Sequence, residues 1–261
     1  MLYDTHCHLN CNTDEELKNI ISRSKQADLT YIMCAGTKIE DASDEIRICN
    51  EFSDDYIKIF CGVADHPEET RNYTHSVDEI IKAAKMSDKV KAIGETGLDT
   101  HIIENMDFLN SQILSFENHI EASLQLKLPL IIHVRGEVAI SKTIEMLKFY
   151  KKNGLKAVIH SYTDGVENVK KLLDIDCYIS FSGVVTFKNA DNVRDAAKVV
   201  PIDRMFVETD APFLAPVPMR GKQNEASFVK YTANYLSNFL NIDYNKFCET
   251  TTKNAIVFFN S

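Results

Sequence analysis

Near the start of the chain two histidines stand two residues apart, His6 and His8, within Leu2 to Leu9, a run that reads as a β-strand. Side chains two apart on a strand share a face, so both imidazoles can reach one cation, with Asp4 one step earlier on that face. Such a pair is equally read as surface or core packing. The same residue types recur, however, in later strand-like runs. Glu95 closes Val90 to Glu95, His133 lies near the end of Leu130 to Val134, His160 closes Lys156 to His160, and Asp210 closes Met205 to Asp210. Singly, each has an ordinary explanation: Glu95 as a cap or loop acid, the histidines as satisfied core residues, Asp210 as a turn former before Pro212. Together, four imidazoles and two carboxylates exceed one tetrahedral site, which implies two divalent cations bridged by a carboxylate, with Glu95 the natural bridge. Two such cations would lower the pKa of a shared water and offset charge on the attacked and leaving oxygens. That chemistry suits hydrolysis of a phosphodiester, and equally of an ester, amide or lactone.

The elements that must position these groups follow from periodicity. Thr30 to Gly36, Ile57 to Ala64 and Cys177 to Gly183 complete about eight apolar, β-branched runs. Helical patterns lie between or after them: Glu15 to Ala27, Val77 to Lys85, Phe108 to Lys127, Val138 to Lys151, Val166 to Leu173, Glu225 to Leu240 and Tyr244 to Phe259, with Asp14 and Asp164 as candidate caps. Near-continuous apolar strands alternating with helices predict an α/β fold, a closed (β/α)8 TIM barrel occupying residues 1–261 as one domain. A doubly wound open sheet would place a G-x-G-x-x-G loop after the first strand, where this chain has His6-Cys7-His8-Leu9-Asn10. In a barrel all six candidate ligands share the rim at the C-terminal ends of the strands, where active sites of this fold are built.

Composition narrows the class. The 261 residues are 44% hydrophobic and 26% charged, which excludes a disordered or disulfide-stapled chain, and no apolar run is long enough to span a membrane. Seven cysteines cannot all pair within one chain, the N-terminus lacks the pattern of a secretory signal, and a reducing cytoplasmic setting is expected. Strand parity turns Cys7 away from the histidine face, and no second cysteine pair completes a zinc knuckle. The net charge of -9 opposes binding to a nucleic acid backbone by bulk electrostatics, so any polyanion must be held locally, by metal ions or a small basic patch. Ser180-Phe181-Ser182-Gly183 is not a nucleophile elbow, and no sequence feature calls for an organic cofactor.

Six motifs, in order and spacing, resemble those of the TatD family of metal-dependent deoxyribonucleases: Asp4-Thr5-His6-Cys7-His8-Leu9, Gly94-Glu95-Thr96-Gly97-Leu98-Asp99, Ile132-His133, His160-Ser161, Glu208-Thr209-Asp210-Ala211-Pro212-Phe213-Leu214 and Arg220-Gly221-Lys222-Gln223-Asn224-Glu225. The resemblance runs nearly end to end and implies an amidohydrolase-type barrel with DNA as substrate, commonly 3′ to 5′ exonuclease action, and magnesium dependence. It would place one metal on His6, His8, Glu95 and Asp210 and the second on Glu95, His133 and His160. Asp210 would also orient or deprotonate the attacking water. DNA enters through the resemblance alone.

Around that frame stand residues with two readings each. Glu208 either orients a ligand or is a buried acid paired elsewhere. His66 follows the third strand, where its imidazole can hydrogen-bond a phosphate oxygen, although this loop carries Ala64-Asp65 where the family usually has His-Pro. Thr100 replaces an aromatic residue common after Gly-Leu-Asp in the family. Arg220 and Lys222 offer cations to a substrate phosphate or form a solvated loop pair, and Asn224-Glu225 caps the next helix or organises the rim. Histidine-rich ligation favours zinc, manganese or iron, whereas the resemblance points to magnesium. A small-molecule ester or amide hydrolase, and a non-catalytic metal-stabilised binding protein, remain the alternative functions. Oligomeric state is not legible.

Overall fold

In the computed structural model, which describes residues 1–103 and 106–260, eight parallel strands form one sheet in chain order. They are β1 (Leu2–Cys7), β2 (Leu29–Cys34), β3 (Lys58–Val63), β4 (Val90–Asp99), β5 (Leu130–Arg135), β6 (Ala157–Ile159), β7 (Tyr178–Phe181) and β8 (Met205–Val207). Asp210 N donates to His6 O at 2.9 Å and His8 N donates to Ala211 O at 2.7 Å, so the segment after β8 returns to β1 and closes the barrel. The expected TIM barrel is therefore the fold.

Around it run α1 (Asp14–Gln26), α2 (Ala42–Phe52), α3 (Val77–Ala84), α4 (Met106–Leu126), α5 (Glu137–Tyr150), α6 (Val166–Leu173), α7 (Asp191–Val199), α8 (Val229–Phe239) and α9 (Tyr244–Phe259). Thr13, not Asp14, caps α1, in a reciprocal box with Glu16. Gly165, not Asp164, occupies the capping position of α6, and the Asp164 carboxylate accepts from Gly165 N. Pattern alone did not single out α2 and α7. On α2 the buried face, Ala42, Glu45, Ile48 and Cys49, includes an acid, and on α7 it is Val193 with two alanines, so neither shows a strong apolar stripe.

Aliphatic side chains fill the space between sheet and helices. A second cluster lies near the strand starts, where Tyr3, Met33, Ala92, Ile131, Val158 and Phe206 pack against Phe258 and Phe259 of α9. The end of the barrel opposite the rim is thus sealed by apolar packing, and polar chemistry is confined to the other mouth.

Glu45 is the exception behind the sheet. It is wholly buried, with Oε1 accepting from the Asn10 amide at 3.4 Å and Oε2 unpartnered. Burial first, then Asp41 and Asp44, push its carboxyl up to about 8 from an ordinary 4.5. Between those values the folded chain keeps a proton that the unfolded chain has released, so stability falls as pH rises through that window. Glu45→Gln removes this loss, and its stability relative to wild type should rise by about 3 kcal/mol between pH 5 and pH 8. Denaturant melts at several pH values check this; a difference constant with pH contradicts it.

Candidate metal centre

The six candidate ligands converge at the rim, from positions slightly different from those expected. Only His6 lies within β1, and His8 follows its end; Glu95 lies in the middle of β4, which continues to Asp99; His133 is in β5; His160 follows β6; and Asp210 stands three residues beyond β8. Asp4 does not join them. Its carboxylate accepts from Thr209 N at 2.8 Å and Thr209 Oγ1 at 2.6 Å, so both oxygens are already engaged on the segment after β8. Cys7 faces away, as expected, with its thiol 3.6 Å from Met33 O. Asp210 adopts φ 59°, a left-handed conformation that Asp tolerates better than most residues, and the Asn224 amide binds the carbonyls of Thr209 at 2.8 Å and of Phe213, holding both sides of this turn. Asn224 thus organises the rim and caps no helix, while Glu225 pairs with Arg23. On β4, Gly97 is required: at φ 139° a Cβ would lie 2.0 Å from the carbonyl oxygen of His133.

Two donor sets share Glu95. Its Oε2 lies 3.1 Å from His6 Nε2 and 3.5 Å from His8 Nε2, these two nitrogens are 3.3 Å apart, and Asp210 Oδ1 lies 3.6 and 3.5 Å from them. Its Oε1 lies 2.9 Å from His133 Nδ1 and 2.8 Å from His160 Nε2, which are 3.3 Å apart. Ligands about 2.1 Å from a tetrahedral cation stand about 3.4 Å from one another, so the separations of 3.3 to 3.6 Å match a coordination shell while the shorter Glu95 contacts are hydrogen-bond distances.

The outward-facing ring nitrogens say which lone pairs are free. His8 Nδ1 donates to Ala35 O at 3.1 Å, and His133 Nε2 donates to Asp99 Oδ2 at 3.0 Å, which leaves His8 Nε2 and His133 Nδ1 as bare donors aimed at the centre. His160 Nδ1 lies 3.3 Å from Glu208 Oε1, an ion-pair contact rather than a directed hydrogen bond. Glu208 is fully buried and also accepts from Ser161 N at 2.7 Å, so it faces a candidate ligand directly. Two imidazole nitrogens 3.3 Å apart can share at most one proton, whereas a divalent cation satisfies both. The donors therefore fit a metal centre.

Charge balance agrees. Burial would raise the Glu95 carboxyl, but the imidazoles around it, His160 and His6 foremost, hold it well below its usual range. Asp210 is likewise held down, against burial, by His8, His160 and His6. Burial pushes His66 down to about 4, so its ring is neutral at pH 7. Its Nδ1 accepts from Glu68 N at 3.2 Å, placing the ring proton on Nε2, 3.6 Å from Glu95 Oε1. The Ala64-Asp65 departure does not displace it, because Asp65 is held by His75 at 2.6 Å and by the amide of Ile39 at 3.2 Å.

Above these groups opens a cavity of about 630 Å³, bordered by Glu68, Glu69, Arg135, Phe213 and Leu214. Arg220 and Lys222 do not border it. The Arg220 guanidinium lies 3.9 Å over the Phe187 ring and donates to Ala215 O, and Lys222 is exposed to solvent. Two residues that do border or support the site escaped the sequence reading. Asp99 was hidden by ending β4 at Glu95, although positions 95, 97 and 99 alternate onto one face of a longer strand. Arg135 shares the strand face of His133 by the same rule.

A family model described as TatD related DNase matches residues 3–260 of this chain. An uncharacterized metal-dependent hydrolase of Buchnera aphidicola is 36% identical to it over 267 residues, covering 99% of this chain and 96% of its own length. YabD, an uncharacterized metal-dependent hydrolase of Bacillus subtilis, is 33% identical over 256 residues, covering 98% and 97%. Among solved structures, YjjV, a TatD homologue from Escherichia coli, matches 100% of this chain and 98% of its own with a TM-score of 0.88 at 20% identity, a likeness of fold.

Proposed function

The chain belongs to the TatD-related DNase family of metal-dependent hydrolases, and on that premise we propose that it cleaves DNA phosphodiester bonds, working from 3′ ends. The observation that carries this reading is the division of Glu95 between two donor sets beneath an open cavity. When bound, a pair of divalent cations, magnesium, manganese or zinc, supplies Lewis-acid polarisation at the attacked and leaving oxygens. His6, His8, Glu95 and Asp210 would hold one, and Glu95, His133 and His160 the other. Asp210, at the cavity wall, receives the proton of the attacking water. His66 donates from Nε2 to a phosphate oxygen, and Asp99 and Glu208 keep His133 and His160 in register. Arg220 stays with the Phe187 ring and is not assigned a substrate contact.

One observation favours a second reading, hydrolysis of a small ester or amide. Glu68 and Glu69 border the cavity, and Arg135 is the one Lys or Arg among the described residues that does. End-labelled DNA incubated with the protein, with and without chelator, decides between them. The proposal expects divalent-dependent release of nucleotides. Intact DNA with turnover of an ester substrate supports the second reading, and binding without turnover supports a non-catalytic protein.

A further inference from the structure

Arg135 is the last residue of β5, two positions past His133, and its side chain is exposed. Its backbone is fixed: the carbonyl accepts from Thr100 N at 2.8 Å and Thr100 Oγ1 at 3.2 Å. Among the described residues its guanidinium has no hydrogen bond or ion-pair contact, although against burial its charge joins the hydrogen bond from His133 in lowering the Asp99 carboxyl. The other six arginines each lie against a carboxylate, a carbonyl or an aromatic ring. Arg135 differs from them: its main chain is anchored while its head stays exposed at the edge of the cavity.

Its position gives the open head a purpose. Arg135, with Val134 and Thr163, forms the wall shared by the cavity above the metal centre and a second cavity of about 470 Å³, which also has His101, Tyr162 and Asn168 on its border. Arg135 stands two residues past His133 on β5 and borders both cavities, so a strand whose reacting phosphate lies at the metal centre and whose next nucleoside enters the second cavity passes this side chain. A planar guanidinium is the side chain best matched to two phosphate oxygens at once.

We propose that Arg135 clamps the phosphate next to the one being cleaved, and that the second cavity seats the nucleoside attached to it. The preferred substrate is then a strand with at least two phosphodiester links, which a lone phosphodiester cannot replace. This rests on the phosphodiesterase reading above. It also explains how a chain of net charge -9 can hold a polyanion: a cation on the wall between the two cavities acts locally, where bulk attraction is lacking.

The test compares thymidine dimer, with one phosphodiester, and thymidine trimer, with two, on the metal-loaded protein. Wild type should favour trimer over dimer in kcat/KM by about 10- to 100-fold. Arg135→Gln should bring that ratio close to one, and Arg135→Lys should restore part of it. A trimer carrying an uncharged methylphosphonate at the link that is not cut should behave with wild type as the ordinary trimer does with Arg135→Gln, and should lose nothing further with that variant. A trimer-to-dimer ratio unchanged by Arg135→Gln, including an equal loss on both substrates, overturns the proposal. So does wild-type cleavage of dimer and trimer at equal rates, which leaves the phosphodiesterase reading standing. A wild type that cleaves neither overturns both.

Discussion

Glu95→Gln should lower kcat on DNA by about 1,000-fold or more. Glutamine keeps the volume and both polar atoms of the side chain, but it removes the one negative charge that both donor sets share and leaves a single good acceptor for two positions. The oxygen 3.1 Å from His6 and the oxygen 2.9 Å from His133 belong to the same carboxylate, so one substitution reaches both halves of the centre. An effect of this size distinguishes a bridge from an acid that merely pairs with histidine, whose loss would cost activity only through ring orientation, about 10- to 100-fold. Steady-state rates together with far-ultraviolet circular dichroism check the prediction. A folded variant that retains activity within tenfold of wild type contradicts it.

Asp210→Asn should lower kcat by about 100- to 10,000-fold with a much smaller change in KM, the pattern expected when a group acts on the proton of the attacking water. The substitution is a clean one. Asn accepts the left-handed backbone that Asp210 adopts at φ 59°, and Asn224 continues to hold the carbonyls on both sides of the turn. A loss in kcat therefore reports the missing base and lost ligand charge, not a rebuilt loop. Activity within about fivefold of wild type would remove Asp210 from the role assigned to it.

The convergence of the candidate ligands was readable because ligand chemistry restricts residue type and the barrel restricts place. His6, His8, Glu95, His133, His160 and Asp210 are of the types that hold divalent cations, and once the strands are ordered β1 to β8 they meet at one rim. What the pattern could not supply was the local backbone. Alternation along β1 predicts Asp4 beside His6, but Thr209, on the segment after β8, takes up both of its oxygens. Asp210 and Glu208 lie beyond a strand that ends at Val207, in a turn held by side chains rather than by the ladder. A loop of cations such as Arg220 and Lys222 suggests phosphate, yet Arg220 is satisfied by Phe187 and a carbonyl, whereas Arg135, which nothing in the local sequence distinguishes, borders the cavity with its head exposed. Charge in a sequence shows that a partner is needed; only the packing shows whether the protein has already provided one. Glu45 illustrates the same limit from the other side, since an acid in a helical stretch reads as a solvated face and here lies wholly buried.

In the proposed function one carboxylate, Glu95, joins two cation sites. Metal content per folded chain, measured by mass spectrometry after loading with a single divalent ion and removal of excess, tests it most directly. Two ions per chain in wild type and fewer than one in Glu95→Gln is the predicted result. A wild type that holds none, or a Glu95→Gln variant that still holds two, would contradict it.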